Sequence, residues 1–192
     1  LTTTYINPNN GLPELLNDRP SVVLRATVAR PGGGPAFPFT VIVNHLRSLN
    51  GVDDSVDGNR VRTKRAAQAE YLAGLIQARQ VADPTEVIVS VGDYNAFSFN
   101  DGYVDMMGTI IGSPTPASQV VLASADLVSP NLSELSSSTY SYTFDGNAQE
   151  LDHILVTPRL IVKEFHVLNF PCSDHLPIAV EIHWPEHLEL RC

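Results

Sequence analysis

Hydrophobic and polar positions alternate along much of this chain, and the alternation predicts most of its elements. From Glu86 to Phe97 the sequence reads EVIVSVGDYNAF, where Val87, Val89 and Val91 alternate with Ile88, Ser90 and Gly92. A nearly all-apolar, β-rich run of this kind predicts a strand covered on both faces. The strand runs into Gly92, Asp93, Tyr94 and Asn95. In extended chain Asp93 and Asn95 leave on the same side, about 6–7 Å apart. The alternative is an Asx turn, with both side chains bonding their own backbone. Upstream, Ser21–Ala29 puts Val22, Leu24, Ala26 and Val28 on one face, and Phe37–Leu46 does the same with Phe39, Val41, Val43 and His45. Between them Pro31-Gly32-Gly33-Gly34-Pro35 forces a turn, so residues 21–46 predict an antiparallel hairpin. Downstream, Tyr140–Phe144, Leu151–Val156, Ile161–Leu168 and Ile178–Trp184 read as strands, with Asp152 in line with Ile154 and Val156.

The period changes between Arg60 and Gln80, where Ala66, Ala69, Leu72, Ala73 and Ile76 mark one face of an amphipathic helix. Thr63 is the expected cap and Asp83-Pro84 the stop. Leu1–Asn10 has some strand character, and Gly11–Pro20 is a loop with one short helical turn at Pro13–Leu16. Asn50–Asn59 is a polar loop whose three aspartates lack the ordered ligand set of a calcium loop. Asn100–Gly112 predicts a short helix or turn, Ser113–Ser138 a long loop with strand pieces around Gln119–Ala123, Asp145-Gly146-Asn147 a turn, and Pro185–Cys192 a tail. No internal repeat is present, and residues 1–192 suit a single domain.

Composition narrows the function. With 192 residues, 43% hydrophobic, the chain can bury a sizeable core. A net charge of −9 makes a passive nucleic-acid binder unsuitable, since the surface as a whole repels a polyanion. It leaves room for an enzyme with a local basic path, and Arg60, Arg62, Lys64 and Arg65 supply four of the twelve basic residues in six positions. Cations at a helix start oppose the macrodipole, which suggests another use for them. The longest apolar runs are strand-length, so no membrane contact is expected. No leader pattern opens the chain as given. Cys172 and Cys192 are compatible with a disulfide or with none.

Four predicted strands end in polar groups: Asn44-His45, Asp93 with Asn95, Asp152, and Asp174-His175. His45, in line with a core stripe, reads in isolation as a buried histidine bonded to a backbone carbonyl; the alternative is a phosphate or transition-state ligand. A carboxylate such as Asp152 on an apolar stripe needs a partner. If these ends converge, the like charges call for a cation, and an oxygen-rich set selects a hard ion, Mg²⁺, Mn²⁺ or Ca²⁺. Such an ion with carboxylates, His and Asn describes hydrolysis of a phosphate ester.

The segments NHLRS, GDYNAF, LDHILV and SDHLPI, in that order, resemble the endonuclease/exonuclease/phosphatase (DNase I-like) superfamily. NRVRTKRAAQAEYLAGLI, NDGYVDMMGTI and YSYTFDGNAQELDHILV look like secreted bacterial nucleases of that superfamily, and the resemblance covers nearly all of residues 12–184. It implies an α/β (α+β) four-layer sandwich, two mixed sheets face to face with helices outside. It also implies roles. Asp174 would bind the divalent metal, with Asp93 touching a second one. His175 would be the general base or a phosphate-polarising group, its tautomer fixed by Asp152. Asp93 would orient the attacking water or protonate the leaving oxygen, Asn95 would hold Asp93 and the phosphate, and His45 would stabilise the phosphoryl oxygens. Arg60 and Arg65 would contact the substrate backbone.

The departures shape the expectation. Family members carry, upstream of these strands, an Asn and a metal-binding Glu in a QE-type motif. This chain has neither, Glu14 stands in the wrong context to replace that Glu, and the approach from Phe170 to Ser173 is short. The expectation is the C-terminal larger part of a catalytic domain, with weak metal binding and impaired activity. Nucleic acid is the expected substrate and secretion the expected location. The competing readings are a phosphatase or phospholipase C-like phosphoesterase of the same superfamily, and a catalytically inactive binding module.

Overall fold

The computed structural model describes residues 3–115, 140–170 and 173–183. The strand pieces expected around 119–123, Trp184, the tail and both cysteines lie outside the described residues. The elements are β1 (Thr4–Ile6), β2 (Pro13–Leu15), β3 (Val22–Val28), β4 (Phe37–His45), α1 (Gly58–Ala82), β5 (Ile88–Asp93), α2 (Met106–Ile110), β6 (Tyr142–Phe144), β7 (Asn147–Gln149), β8 (Asp152–Val156), β9 (Ile161–Val167) and β10 (Ile178–His183). The predicted hairpin, the central strand and the later strands are all present within a few residues of their expected bounds. The helical turn expected at Pro13–Leu16 is instead β2, paired antiparallel with β1. A four-residue helix gains too few internal hydrogen bonds to compete with a paired strand.

Four strands form one sheet in the order β3-β4-β5-β8. β4 and β5 run parallel, with α1 as their crossover, and β8 returns antiparallel to β5. The two-period pattern of β5 sorts its residues between two cores. Ile88 joins Ile42, Leu72, Ile76 and Leu155 under α1 and α2. Val89 and Val91 pack on the opposite face with Ile154, Val156 and Phe165, against the antiparallel pair β9–β10. A helical layer, the four-stranded sheet and a second sheet face to face therefore make an α/β sandwich. Among the described residues the helices lie on one outer side only. The second sheet covers the β5–β8 half of the inner face. Val22, Leu24 and Val43, in register on the β3–β4 half, remain 62%, 55% and 44% exposed.

α1 is longer than its periodic core suggests and begins at Gly58, before the expected cap Thr63. Its N-cap, Asp57, makes no side-chain cap bond; its carboxylate instead takes Arg60 in a two-pronged pair at 2.6 and 2.7 Å. The helix stops at Asp83, whose extended backbone precedes Pro84 as expected.

The parallel pairing of β4 and β5 requires a glycine at one position. Gly92, opposite Asn44, has φ +133°, and a Cβ there would lie 2.0 Å from the Asn44 carbonyl oxygen. Gly92→Ala is expected to lower unfolding stability by at least about 2 kcal/mol in urea titration, whereas Val22→Ser on the uncovered face changes it by less than about 0.5 kcal/mol. Equal midpoints for the two variants would refute this account of the pairing.

Candidate active site

Three strands bring their polar ends into one row. His45 ends β4 opposite Asp93, which ends β5, and Asp93 faces Asp152, which begins β8. Neighbouring strands stand about 4.8 Å apart, so the imidazole and two carboxylates sit side by side, on the sheet face turned toward β9–β10. His175 arrives from outside this sheet. Its backbone bridges to Tyr142, and Leu176 N donates to Ser141 O at 2.6 Å. Buried Ser141 also accepts from the backbone N–H groups of Leu151 and Asp152, tying β6, β8 and the His175 segment together. His175 Nδ1–H donates to Asp152 Oδ2 at 2.6 Å, which leaves Nε2 as the basic nitrogen.

The loop after β5 takes the Asx turn, the alternative to an extended run through Asn95. Asn95 has φ +49°, a left-handed conformation that Asn tolerates. Its backbone N–H donates to Asp93 Oδ1 at 2.8 Å, closing an Asx turn, and its amide donates to Asp93 Oδ2 at 2.9 Å and Leu46 O at 3.0 Å. Both amide protons are thereby engaged, so Asn95 acts on Asp93 and the loop. Two buried donors hold the next carbonyls from below. Arg65 NH1 donates to Asn95 O and Arg47 O, both at 2.7 Å, and NH2 lies 3.4 Å from Asp101 Oδ2. His153 Nε2–H donates to Ala96 O at 2.8 Å, its ring edge-on to Tyr94. Arg65 is fully buried, so it meets no substrate; burial pulls its pKa down to about 10, opposed by Asp101.

Of the remaining basic cluster, Arg60 is bound to Asp57 and lies 3.6 Å from Glu14, Lys64 pairs with Asp18 at 2.6 Å, and Arg62 donates to Val52 O. The helix-start charges are thus mostly satisfied within the protein, which is why they do not destabilise α1. Sequence reasoning missed Arg19. Its NH1 lies 2.6 Å from His45 Nε2, and because Arg only donates, His45 accepts there and carries its proton on Nδ1. Arg19 lies in an unpatterned loop, and no spacing marks it. A cavity of about 640 Å³ opens beside it, lined by Arg47, Arg60 and Lys64 among others. Among the described residues, no carboxylate ion-pairs with Arg19 or Arg47.

Burial raises the Asp93 pKa and the neighbouring Asp152 adds to the rise; the Asn95 N–H and the charge of His175 oppose it. Burial by itself lowers His175, but the hydrogen bond and charge of Asp152, with Asp93 and Asp174, outweigh it and leave its pKa above 6.5. Asn95 and His175 offset part of the converging negative charge from within the protein, and the Asp93 pKa stays raised. Asp174 is exposed, accepts from Ser173 Oγ at 3.0 Å and is held below the usual carboxylate range chiefly by that bond. It adjoins His175 but lines a different cavity, with Tyr140, Asn169 and Leu176. Among the described residues no three acidic, histidine or cysteine side chains are grouped to hold a metal ion. Asp174 offers a hard cation one ionised carboxylate, a partial ligand set.

Arg65→Met leaves two buried carbonyls and Asp101 without their donor, and a loss of about 2–5 kcal/mol in denaturant unfolding is expected. An unchanged midpoint would contradict the role given to Arg65. Asp152→Asn removes what raises His175, so a pH–rate limb that rises as His175 loses its proton should shift to lower pH while the plateau falls. The His175–Asp152 contribution to folding has the matching sign. It is complete below the unfolded His pKa and fades as pH rises through the higher folded one.

No protein-family model and no curated protein matches the sequence. Solved structures do. The human Nocturnin catalytic domain with bound sulfate anion is similar at TM-score 0.53 and 19% identity, over 95% of this chain and 58% of that one. An endonuclease/exonuclease/phosphatase family protein from Bacteroides thetaiotaomicron matches at 0.52 and 15%, over 84% and 56%. D. rerio TDP2 complexed with a single strand DNA product matches at 0.51 and 16%, over 84% and 61%. The chain thus spans less than two thirds of the length of each of these structures. In the arrangement of its described residues it has the DNase I-like fold of the endonuclease/exonuclease/phosphatase superfamily.

Proposed function

We propose that this protein hydrolyses phosphodiester bonds in nucleic acid with the help of a hard divalent cation. One observation carries the reading: His45, Asp93 and Asp152 stand in register on three adjacent strands, with His175 hydrogen-bonded to the last of them. A catalytic His–Asp pair beside a second carboxylate of raised pKa separates a base from an acid. His175 Nε2 takes the proton of the attacking water as its oxygen bonds phosphorus. Asp93 returns a proton to the leaving oxygen as the P–O bond breaks. Arg19, ordered on His45, supplies positive charge to the phosphoryl oxygens. Asp174 would supply one ligand to a divalent cation, whose charge would help to neutralise the phosphate.

Nucleic acid is favoured as substrate by Arg19 and Arg47 beside His45, which carry no ion pair among the described residues although Glu14 and Asp18 line the same groove, and by the fold shared with a DNA-bound TDP2. Plasmid DNA should be cut in Mg²⁺ or Mn²⁺, spared in EDTA, and cut about 10²–10⁴-fold more slowly by His175→Ala. Equal cutting by wild type and variant would overturn the assignment. Phosphate release from a soluble phosphomonoester without DNA cleavage would favour the phosphatase reading, and neither activity would favour a binding module.

A further inference from the structure

Beneath the catalytic loop lies a histidine that the proposed chemistry does not use. His153 follows Asp152 on β8, so its ring leaves the sheet on the other face, where it meets Tyr94 edge-on and is fully buried. Its Nε2–H donates to Ala96 O at 2.8 Å, the carbonyl that follows Asn95 in the loop. A carbonyl only accepts, so the neutral ring carries its one proton on Nε2. Nδ1 is left with a lone pair and, among the described residues, no partner. One oxygen of Glu150, Oε1, is buried and unpartnered in the same way. Orphaned polar atoms are rare in a packed interior, and each calls for a reason.

The surroundings favour a ring without charge. Burial lowers the His153 pKa; the Ala96 carbonyl and then the charges of Glu150, Asp152 and Asp93 oppose the fall without cancelling it. Tyr94 adds no charge, because burial keeps its phenol protonated. From α1, Arg65 serves Asn95 O, one residue before Ala96, and has Asp101 beside it. A second proton on the imidazole would sit on Nδ1, where no acceptor stands at hydrogen-bond distance. That proton is costly while the loop is closed and carries no such cost once the ring reaches water.

We propose that His153 is an acid-released latch on the loop that carries Asp93 and Asn95. The neutral ring holds the loop closed through Ala96, a second proton frees it, and Glu150 moderates the release by favouring the charged ring. This rests on the phosphodiesterase reading and gives that site an off state in acid, when Asp93 loses its place. The closed loop binds the proton less well than the open one. Its stabilising contribution is therefore complete above the ordinary imidazole value of about 6.5 and is lost as pH falls from there toward the lower closed-loop value. The His175–Asp152 contribution runs the opposite way.

Hydrogen exchange of residues 94–99, read by mass spectrometry on the whole chain and corrected for the intrinsic rate, tests the latch. Wild-type exchange should speed up about tenfold from pH 7 to pH 5. His153→Gln keeps an N–H for Ala96 but takes up no proton, so its exchange should stay level across that range. In nuclear magnetic resonance the wild-type His153 ring, identified by its contact with Tyr94, should titrate below about 6.5, and Glu150→Gln should lower its proton affinity at least about threefold further. A level response in wild type, an equal acid response in His153→Gln, or a ring that titrates at or above the ordinary value would overturn the latch. Unchanged affinity in Glu150→Gln would overturn the part given to Glu150. The wild-type titration decides even where His153→Gln fails to fold. Neither readout involves catalysis, so plasmid cleavage, scored separately, reports on the hydrolase reading whether or not the latch stands.

Discussion

The site depends on the register of β4 against β5. These parallel strands end level, so His45 and Asp93 stand side by side, and β8 adds Asp152 to the same row. A slip by one residue would turn each of these side chains to the opposite face and put Asn44, Gly92 and His153 in their place. What fixes the register is close backbone approach at Gly92, where a Cβ has no room beside Asn44, together with the two apolar faces of β5. On the helix side Asn44 is tied down further, donating to Ser90 Oγ at 2.8 Å and accepting from Ser21 Oγ at 2.7 Å. The same packing that makes the sheet a core makes its end a site.

Beyond the sheet, polar groups are held by buried donors and not by the surface. The loop that carries Asp93 and Asn95 leaves β5 through a left-handed residue, a conformation that persists only when its surroundings over-determine it. Arg65 and His153 supply that constraint on successive carbonyls. A buried arginine is costly to desolvate, and its hydrogen bonds to carbonyls and the nearby Asp101 offset that cost. The outcome is a carboxylate whose pKa is raised by burial and by Asp152, with the hydrogen bond from the Asn95 N–H limiting the rise.

Two grooves flank the site, and their linings differ. The groove on the His45 side takes Arg19 and Arg47 from the loops after β2 and β4 and Arg60 and Lys64 from the start of α1, and the cavity on the His175 side takes Tyr142 and Phe144 from β6. Among the described residues, Arg19 and Arg47 line the groove beside His45 without an ion pair, while Arg60 and Lys64 there are paired with Asp57 and Asp18.

The sequence by itself determined the strands of the central sheet, the long helix and the ends at which His45, Asp93, Asp152 and His175 sit. Two-residue and 3.6-residue periods are local, and a polar residue closing an apolar stripe is visible without a fold. It did not show Arg19, Ser141, His153 or Tyr142, because each works through a partner 10 to 57 positions away. It also could not tell the helix-start arginines apart. Spacing places Arg60 and Arg65 together on one stretch, but only packing decides that one reaches a groove while the other is wholly enclosed. Periodicity records which face a residue is on; whether that face meets water, a carbonyl or another element is settled by what the rest of the chain lays against it.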